Sequence, residues 1–286
     1  MVTPSLLRSW PLPSPAGDKE AKGRLLVIGG SDRTPGAVRL AAEAALRVGA
    51  GKVQIATTAA TAAHLAVAVP ESFVVGLPTE DGELAVAAAG QLVELAAGAD
   101  AVLVGPGLGD PGAACSLLEA VVPHLHTALV VDALGTAYVT GHPDGLRHLV
   151  PHVLLTPNVT ELAQVLGERE EDVADDVLAA AARAAHRTGV TVLAGTDTSY
   201  VVEPAGEAWA TEVGAPGTAV AGSGDVKAGA VAGLVVRGAT SAQAAAWGSF
   251  LHGRAGELLT ASVGPVGFLA REMVARLPTA LVEVQG

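Results

Sequence analysis

Gly222-Ser223-Gly224-Asp225 stands at the head of a stretch rich in alanine and glycine. Two glycines allow a sharp backbone turn and bring amides close to a ligand. The helix expected from about 224 to 237 directs its positive end at the same spot, which makes an anion hole suited to a phosphate. Asp225 falls in the first turn of that helix, beside the phosphate, where a carboxylate can take a proton from a reacting hydroxyl. An acidic residue is also favoured there by the helix dipole alone, and the tetrapeptide weighs the two readings equally. Gly229 and Gly233, inside the same helix, each cost about 1 kcal/mol against alanine. A close helix contact or a close ligand approach would account for them.

Other loops offer weaker signals. Gly29-Gly30-Ser31 and Gly105-Pro106-Gly107-Leu108-Gly109 each follow an apolar run and precede a helical pattern. Taken singly, such a loop is more often just a tight turn. Asp132 ends another apolar run and either orients a ligand or caps the next helix. Asn158 and Glu161, three apart at a helix start, read as a capping pair or as two groups facing one cleft, with spacing alone favouring the cap. Neither GxGxxG nor GxxxxGK[ST] is present, so neither a dinucleotide fingerprint nor a P-loop is supported. The eight histidines form no metal-ligand pattern: His124, His126, His142, His148 and His152 read as surface loop residues, and His252 as a half-buried polar residue of a helix. Trp10, Trp209 and Trp247 are too spread to form a stacking platform. Cys115, the single cysteine, excludes a disulfide framework and reads as a small core hydrophobe.

The elements that must position these residues follow from periodicity. Strands are expected at 24–28, 52–57, 73–77, 99–105, 128–132, 153–155 and 190–193, with a hairpin at 199–202 and 207–211. Helices are expected at 35–48, 58–69, 83–97, 113–122, from about 161, and at 172–188, 224–237, 241–259 and 266–276. Alternation of this kind implies a mostly parallel sheet covered on both faces, and ligands then bind outside the carboxyl ends of the strands. Residues 23–286 are expected to form one domain. Residues 1–22, with prolines at 4, 11, 13 and 15, read as an extended arm, since those prolines break any helix. Half of the residues are hydrophobic and few are aromatic, so the core is built from Ala, Val and Leu. The net charge of −12 argues against nucleic-acid binding, so an anionic ligand must be held locally by backbone amides. No run of 18 apolar residues suggests a membrane span, and the N-terminus lacks the apolar stretch of a signal peptide. The chain reads as cytoplasmic.

Six segments taken in order resemble the ADP- or ATP-dependent NAD(P)H-hydrate dehydratases of the ribokinase-like superfamily. They are GRLLVIGGSDRTPGAVRLAAEAALRVGAGKV at 23–53, PES at 70–72, ADAVLVGPGLG at 99–109, VVDAL at 130–134, LLTPNVTELAQVLG at 154–167 and GSGDVKAGAVAGL at 222–234. The resemblance implies a three-layer α/β/α sandwich of the ribokinase-like kind. It also implies a repair reaction on (S)-NAD(P)H hydrate: an adenine nucleotide phosphorylates the nicotinamide-ring hydroxyl, and phosphate is then eliminated. Carried over by position, Asp225 is the catalytic base, and Ala37, Gly109, Asn158 and Asp225 line the hydrated-coenzyme site. Ala194, Gly195, Thr196, Asp197, Thr198, Gly222, Ser223 and Gly224 hold the nucleotide, with Mg2+ accompanying it and its protein ligands unassigned. A homotetramer working alongside a separate epimerase is the implied assembly. The chain departs from the family pattern at Asn158 (usually histidine), at Ala194 (usually lysine), at 132–137 (DALGTA for DADALN) and at Lys227 (usually aliphatic). Two alternatives stand beside the repair reaction: a small-molecule kinase of the same superfamily, since the Gly-Xaa-Gly-Asp loop is shared, and a nucleotide-binding paralogue with impaired catalysis, motivated by the departures at Asn158 and Ala194.

Overall fold

In this computed structural model the described residues are 1–14 and 22–285. The remainder of the proline-rich arm, including Pro15, lies outside them. The centre is a nine-stranded sheet. Its first three strands, β1 (Arg24–Ile28), β2 (Lys52–Thr58) and β3 (Ser72–Leu77), step outward in one direction. A small hairpin, β4 (Thr79–Glu80) and β5 (Glu83–Leu84), stands apart from the sheet. The chain then returns to the other side of β1 and steps outward again through β6 (Ala101–Val104), β7 (Ala128–Val131), β8 (Val153–Leu155) and β9 (Thr191–Gly195). All of these sheet strands are parallel. The antiparallel pair β10 (Ser199–Val202) and β11 (Ala208–Thr211) extends the β9 edge. The strand order therefore reverses between β1 and β6, and the crevice above that reversal is where such sheets admit ligands.

Successive strand residues feed opposite cores. Leu25 and Val27 join one apolar cluster, Leu26 and Ile28 the other, and all four are fully buried. The first cluster is completed by α2 (Pro35–Arg47), α10 (Ser223–Val236), α11 (Ser241–Ser262) and α12 (Ala270–Gln285). The second is completed by α4 (Ala89–Ala97), α5 (Pro111–Val121), α6 (Thr136–Gly141), α7 (Val159–Leu166) and α9 (Val177–Thr188). This is the expected α/β/α sandwich. The remaining helices, α1 (Pro4–Ser9), α3 (Ala59–Ala68) and α8 (Glu170–Asp175), lie at its margins.

The structure departs from the expected elements in five places. Pro4 starts a helix rather than breaking one, because proline at the first helical position loses no hydrogen bond and Thr3 caps the turn. The arm also packs on its own body: Val2, Leu7 and Leu12 enter the first core, and the Val2 amide donates to the Ala210 carbonyl. The helix expected at 83–97 begins only at Ala89, since Asp81 and Gly82 turn the preceding residues into the β4–β5 hairpin with positive φ. The helix expected at 172–188 is interrupted at Asp176, whose side chain accepts from the Ala179 amide and restarts the helix as α9. The last helix runs through Pro278 to Gln285. Finally, Trp10 and Trp209 are brought together with ring centroids 5.3 Å apart, which their sequence separation concealed.

Candidate active site

The amide arrangement at the head of α10 comes from Gly222, which takes a left-handed φ of 87° as the N-cap. A side chain there would lie 2.6 Å from Leu40 Cδ1, so the turn requires glycine for both conformation and space. The Ser223 amide donates to the Val220 carbonyl, and the first helical bond runs from Val226 to Gly222. The amides of Gly222, Gly224 and Asp225 are left without an acceptor among the described residues. Gly224 faces open space. These are the donors an anionic group can use.

Ser223 turns the other way. Its hydroxyl lies 2.7 Å from His252 Nε2, and the same nitrogen is 3.1 Å from the Ser223 carbonyl. Burial holds His252 neutral, with its pKa pushed down to about 3. The histidine expected as a half-buried helical residue thus braces the loop from behind. Nothing in the local spacing linked it to Ser223, 29 residues earlier.

Asp225 sits in the first turn, and burial, reinforced by Glu161, raises its carboxyl to about 6. Three further groups share its electrostatic environment. Asp132 directly follows β7 and is buried; its pKa rises to about 8 through desolvation, although the Thr156 hydroxyl donates to Oδ1 at 2.6 Å. It is held there by a tight turn in which Ala133 takes a left-handed φ of 47°. Asp132 is not a helix cap: it makes no capping bond to the turn that follows. Glu161 is raised chiefly by burial. Lys227 is lowered by burial, while Asp132 and Glu161 oppose that shift. Three carboxylates and one ammonium therefore act on one another at the carboxyl ends of β7 and β8. Two residues along a helix need not point to opposite environments when the side chain is as long as lysine.

Asn158 and Glu161 make a full capping box. Glu161 N donates to Asn158 Oδ1 at 2.9 Å, Asn158 N donates to Glu161 Oε2 at 3.0 Å, and Asn158 Nδ2 donates to Glu161 Oε1 at 2.8 Å. The capping and cleft-facing readings are compatible: the cap fixes Glu161, whose charge is felt at Asp225. Asn158 is exposed beside it.

Across the β1–β6 crevice, Ala37 and the 105–109 loop meet. The Thr34 hydroxyl donates to the Gly107 carbonyl at 2.6 Å, and a side chain at Gly107 would lie 2.9 Å from Ala37 Cβ. The Gly30 amide donates to the Pro106 carbonyl at 2.8 Å, so the two glycine-rich loops form one unit. The Gly109 amide is directed at Glu83 Oε2, 2.9 Å away, a partner supplied by the hairpin that sequence periodicity assigned to a helix. On the far side, Ala194 is fully buried in the second core and pairs with Tyr200, so it offers a methyl group and no charge. Gly195 ends β9; Thr196 and Asp197 are exposed in the turn after it, and Thr198 is half-buried. A cleft of about 1420 Å3 opens at the opposite ends of the strands among Trp10, His126, Trp209 and Arg237. None of the motif loops lines it; the convergent polar groups lie at the other ends of the strands.

The profile of the NAD(P)H-hydrate dehydratases matches residues 25–279. The chain belongs to that family. It is 41% identical, over 97% of its length and 94% of the relative's, to the ADP-dependent (S)-NAD(P)H-hydrate dehydratase of Xanthomonas campestris. It is 34% identical to a bifunctional NAD(P)H-hydrate repair enzyme of Moorella thermoacetica, of which it spans half. Among solved structures, a ribokinase-like superfamily protein from Enterococcus faecalis superposes with a TM-score of 0.83 at 25% identity, over 99% of this chain and 96% of the other. The ADP/ATP-dependent NAD(P)H-hydrate dehydratase of Bacillus subtilis, co-crystallised with ATP/Mg2+, superposes at 0.79 and 23% identity, over 99% and 97%. The fold is therefore ribokinase-like, and the family is one of hydro-lyases.

Proposed function

We propose that this chain restores NAD(P)H from (S)-NAD(P)H hydrate, with ADP as the phosphoryl donor and ATP as the alternative. The observation that carries the reading is Asp225 beside three unsatisfied amides at one helix start, on the same sheet edge as the Ala37–Gly109 cradle. A carboxylate near pKa 6 is ionised at neutral pH and still basic enough to receive a proton. Asp225 takes the proton of the ring hydroxyl as its oxygen bonds to the terminal phosphorus of the nucleotide, whose bridging P–O bond breaks and releases AMP from ADP (or ADP from ATP). The amides of Gly222, Gly224 and Asp225 hold the charge that gathers on the phosphoryl oxygens. The phosphorylated ring carbon then expels phosphate, and loss of a ring proton restores the reduced nicotinamide. Ala37, Gly109 and Asn158 hold the hydrated coenzyme, and Ala194 to Thr198 with Gly222, Ser223 and Gly224 hold the nucleotide. Ser223 contributes by anchoring the loop, its hydroxyl being engaged with His252.

Mg2+ fits this cluster by donor chemistry, because Asp132 and Glu161 offer the hard oxygen ligands it prefers. When bound with the nucleotide it neutralises phosphate charge. Lys227 supplies a cation where Ala194 supplies none. A homotetramer in the cytoplasm, receiving its substrate from a separate epimerase, completes the reading. Its support is the resemblance and the match to half of the bifunctional repair enzymes. Among the described residues no helix is long and apolar enough to cross a membrane.

The test is to incubate the protein with hydrated NADH, Mg2+ and either ADP or ATP, and to follow the absorbance of the reduced nicotinamide. Recovery with ADP is expected. Absence of recovery with both nucleotides defeats the proposal, and nucleotide binding by calorimetry without turnover would instead identify an impaired binder. Accumulation of a stable phosphorylated alcohol would identify a kinase.

A further inference from the structure

Cys115 does not lie in the core, where its residue type suggested it belonged. It is half-exposed on α5, one turn before Glu119 on the same helix face. His142 closes the C-terminal end of α6, which packs against α5. Cys115 Sγ is 3.7 Å from Glu119 Oε1, and His142 Nε2 is 3.5 Å from that same oxygen. All three potential ligand atoms lie within 4.8 Å of one another.

The histidine is held for one particular use. Its Nδ1 lies 3.2 Å from the Tyr138 carbonyl, and a carbonyl only accepts, so Nδ1 carries the hydrogen. The ring is also stacked on Tyr138, with centroids 4.8 Å apart and planes at 18°. In the neutral imidazole this leaves the Nε2 lone pair facing the carboxylate. Metal-bound histidines are oriented in the same way, by donating the second nitrogen to a backbone carbonyl. The spacing agrees as well. Tetrahedral zinc bonded to sulfur at about 2.3 Å and to oxygen and nitrogen at about 2.1 Å sets S···O near 3.6 Å and N···O near 3.4 Å. Two of the three edges are already close to those lengths, and a rotation of the Cys115 or His142 side chain would bring in the third.

We propose that Cys115, Glu119 and His142 form a binding site for a thiophilic divalent cation of the Zn2+ type, separate from the active site. A thiolate, an imidazole and a carboxylate suit a borderline-soft ion, and three protein ligands leave a fourth position for water. Binding replaces the thiol proton with a sulfur–metal bond and releases that proton to solvent. The ion would tie α5 to α6, the helices that follow the 105–109 and Asp132 loops, so it would brace the coenzyme side of the sheet from outside.

The single cysteine makes the test specific. Tag-free, chelator-treated, reduced protein is titrated with Zn2+ while the rate at which a disulfide reagent modifies Cys115 is followed, and Co2+ then serves as the spectroscopic probe. One equivalent of Zn2+ is expected to slow modification about tenfold or more, and Co2+ to give a thiolate charge-transfer band and intense tetrahedral bands. Glu119→Gln and His142→Ala should each weaken binding about tenfold or more, as loss of even an outer-shell partner does at metal sites. Cys115→Ser should abolish the charge-transfer band. An unchanged modification rate in the wild-type protein overturns the proposal without recourse to any variant. So does protection that survives undiminished in both Glu119→Gln and His142→Ala, which would mark a thiol binding the ion alone.

Discussion

Asp225 can accept a proton only when it is ionised, and its pKa of about 6 fixes where that happens. The rate should rise with pH through about 6 and level off above it, measured as kcat/KM against pH. Asp225→Asn should lower kcat by about 10²-fold or more while leaving nucleotide affinity in calorimetry nearly intact, because the amide donors remain. Full activity in that variant would remove Asp225 from the mechanism. Lys227 is the other residue whose role is decided by its neighbours. It is partly buried beside Asp132 and Glu161, and its loss would remove a positive charge facing an incoming phosphate. Lys227→Met should weaken nucleotide binding by about one to two decades, the range of a charge-assisted contact. An unchanged affinity would show that the ammonium serves the fold alone. Both residues lie within three positions of Gly224, and the sequence marked them differently, Asp225 by its chemistry and Lys227 only as a departure from the family pattern. Asp225 occupies a position with chemical precedent, whereas the environment of Lys227 depends on Asp132 and Glu161, 95 and 66 residues earlier.

Among the elements, α10 explains its own glycines. The most extensive helix–helix contact in the structure is between α10 and α2. A side chain at Gly229 would lie 2.6 Å from Ala41 Cα, and one at Gly233 would lie 2.7 Å from Ala45 Cα, so the two backbones nearly touch. Of the two explanations open from sequence, the helix contact holds. Gly229→Ala should therefore destabilise the protein by about 1–3 kcal/mol, as overpacking does, seen in denaturant melts. Gly224→Ala meets no neighbour and should leave stability unchanged or raised, yet its methyl group would project toward the anion site and weaken nucleotide binding. The long, periodic elements and their order were legible because the central strands β1, β6, β7 and β8 are buried on both faces and most of the helices between strands end at glycine or proline. The β4–β5 hairpin was not: Glu83 and Leu84 continue an apolar pattern that suits a helix, and only the positive φ of Asp81 and Gly82 turns it. With the hairpin went Glu83 and its bond to the Gly109 amide. Pro4 was misread for a similar reason, since proline forbids the interior of a helix but favours its first residue.

At the scale of the whole molecule, the site's carboxylates leave a mark on stability. Asp132 has a folded-state pKa of about 8, well above the ordinary carboxylate value, so the folded state binds more protons than the unfolded state between about pH 4 and 8. Stability is then lost as pH rises through that window. Asp132→Asn keeps an acceptor for the Thr156 hydroxyl and removes the buried charge. Its melting temperature should match the wild type only at about pH 4 or below, and exceed it by about 2–4 °C or more at pH 8.5, the shift expected from each roughly 1 kcal/mol in a chain of this size. A gap that does not widen with pH would mean that Asp132 is not the group responsible. The crossing of α2 and α10 has a consequence at this scale too. On the proposed reading, α2 begins at the loop that would cradle the coenzyme, and α10 begins at the loop that would receive the phosphoryl group. With no side chains between the two backbones at Gly229 and Gly233, the separation of donor and acceptor is gauged deep in the core, well below either loop. The loops are thereby free to change which molecules they accept, while the distance the phosphoryl group must travel stays the same.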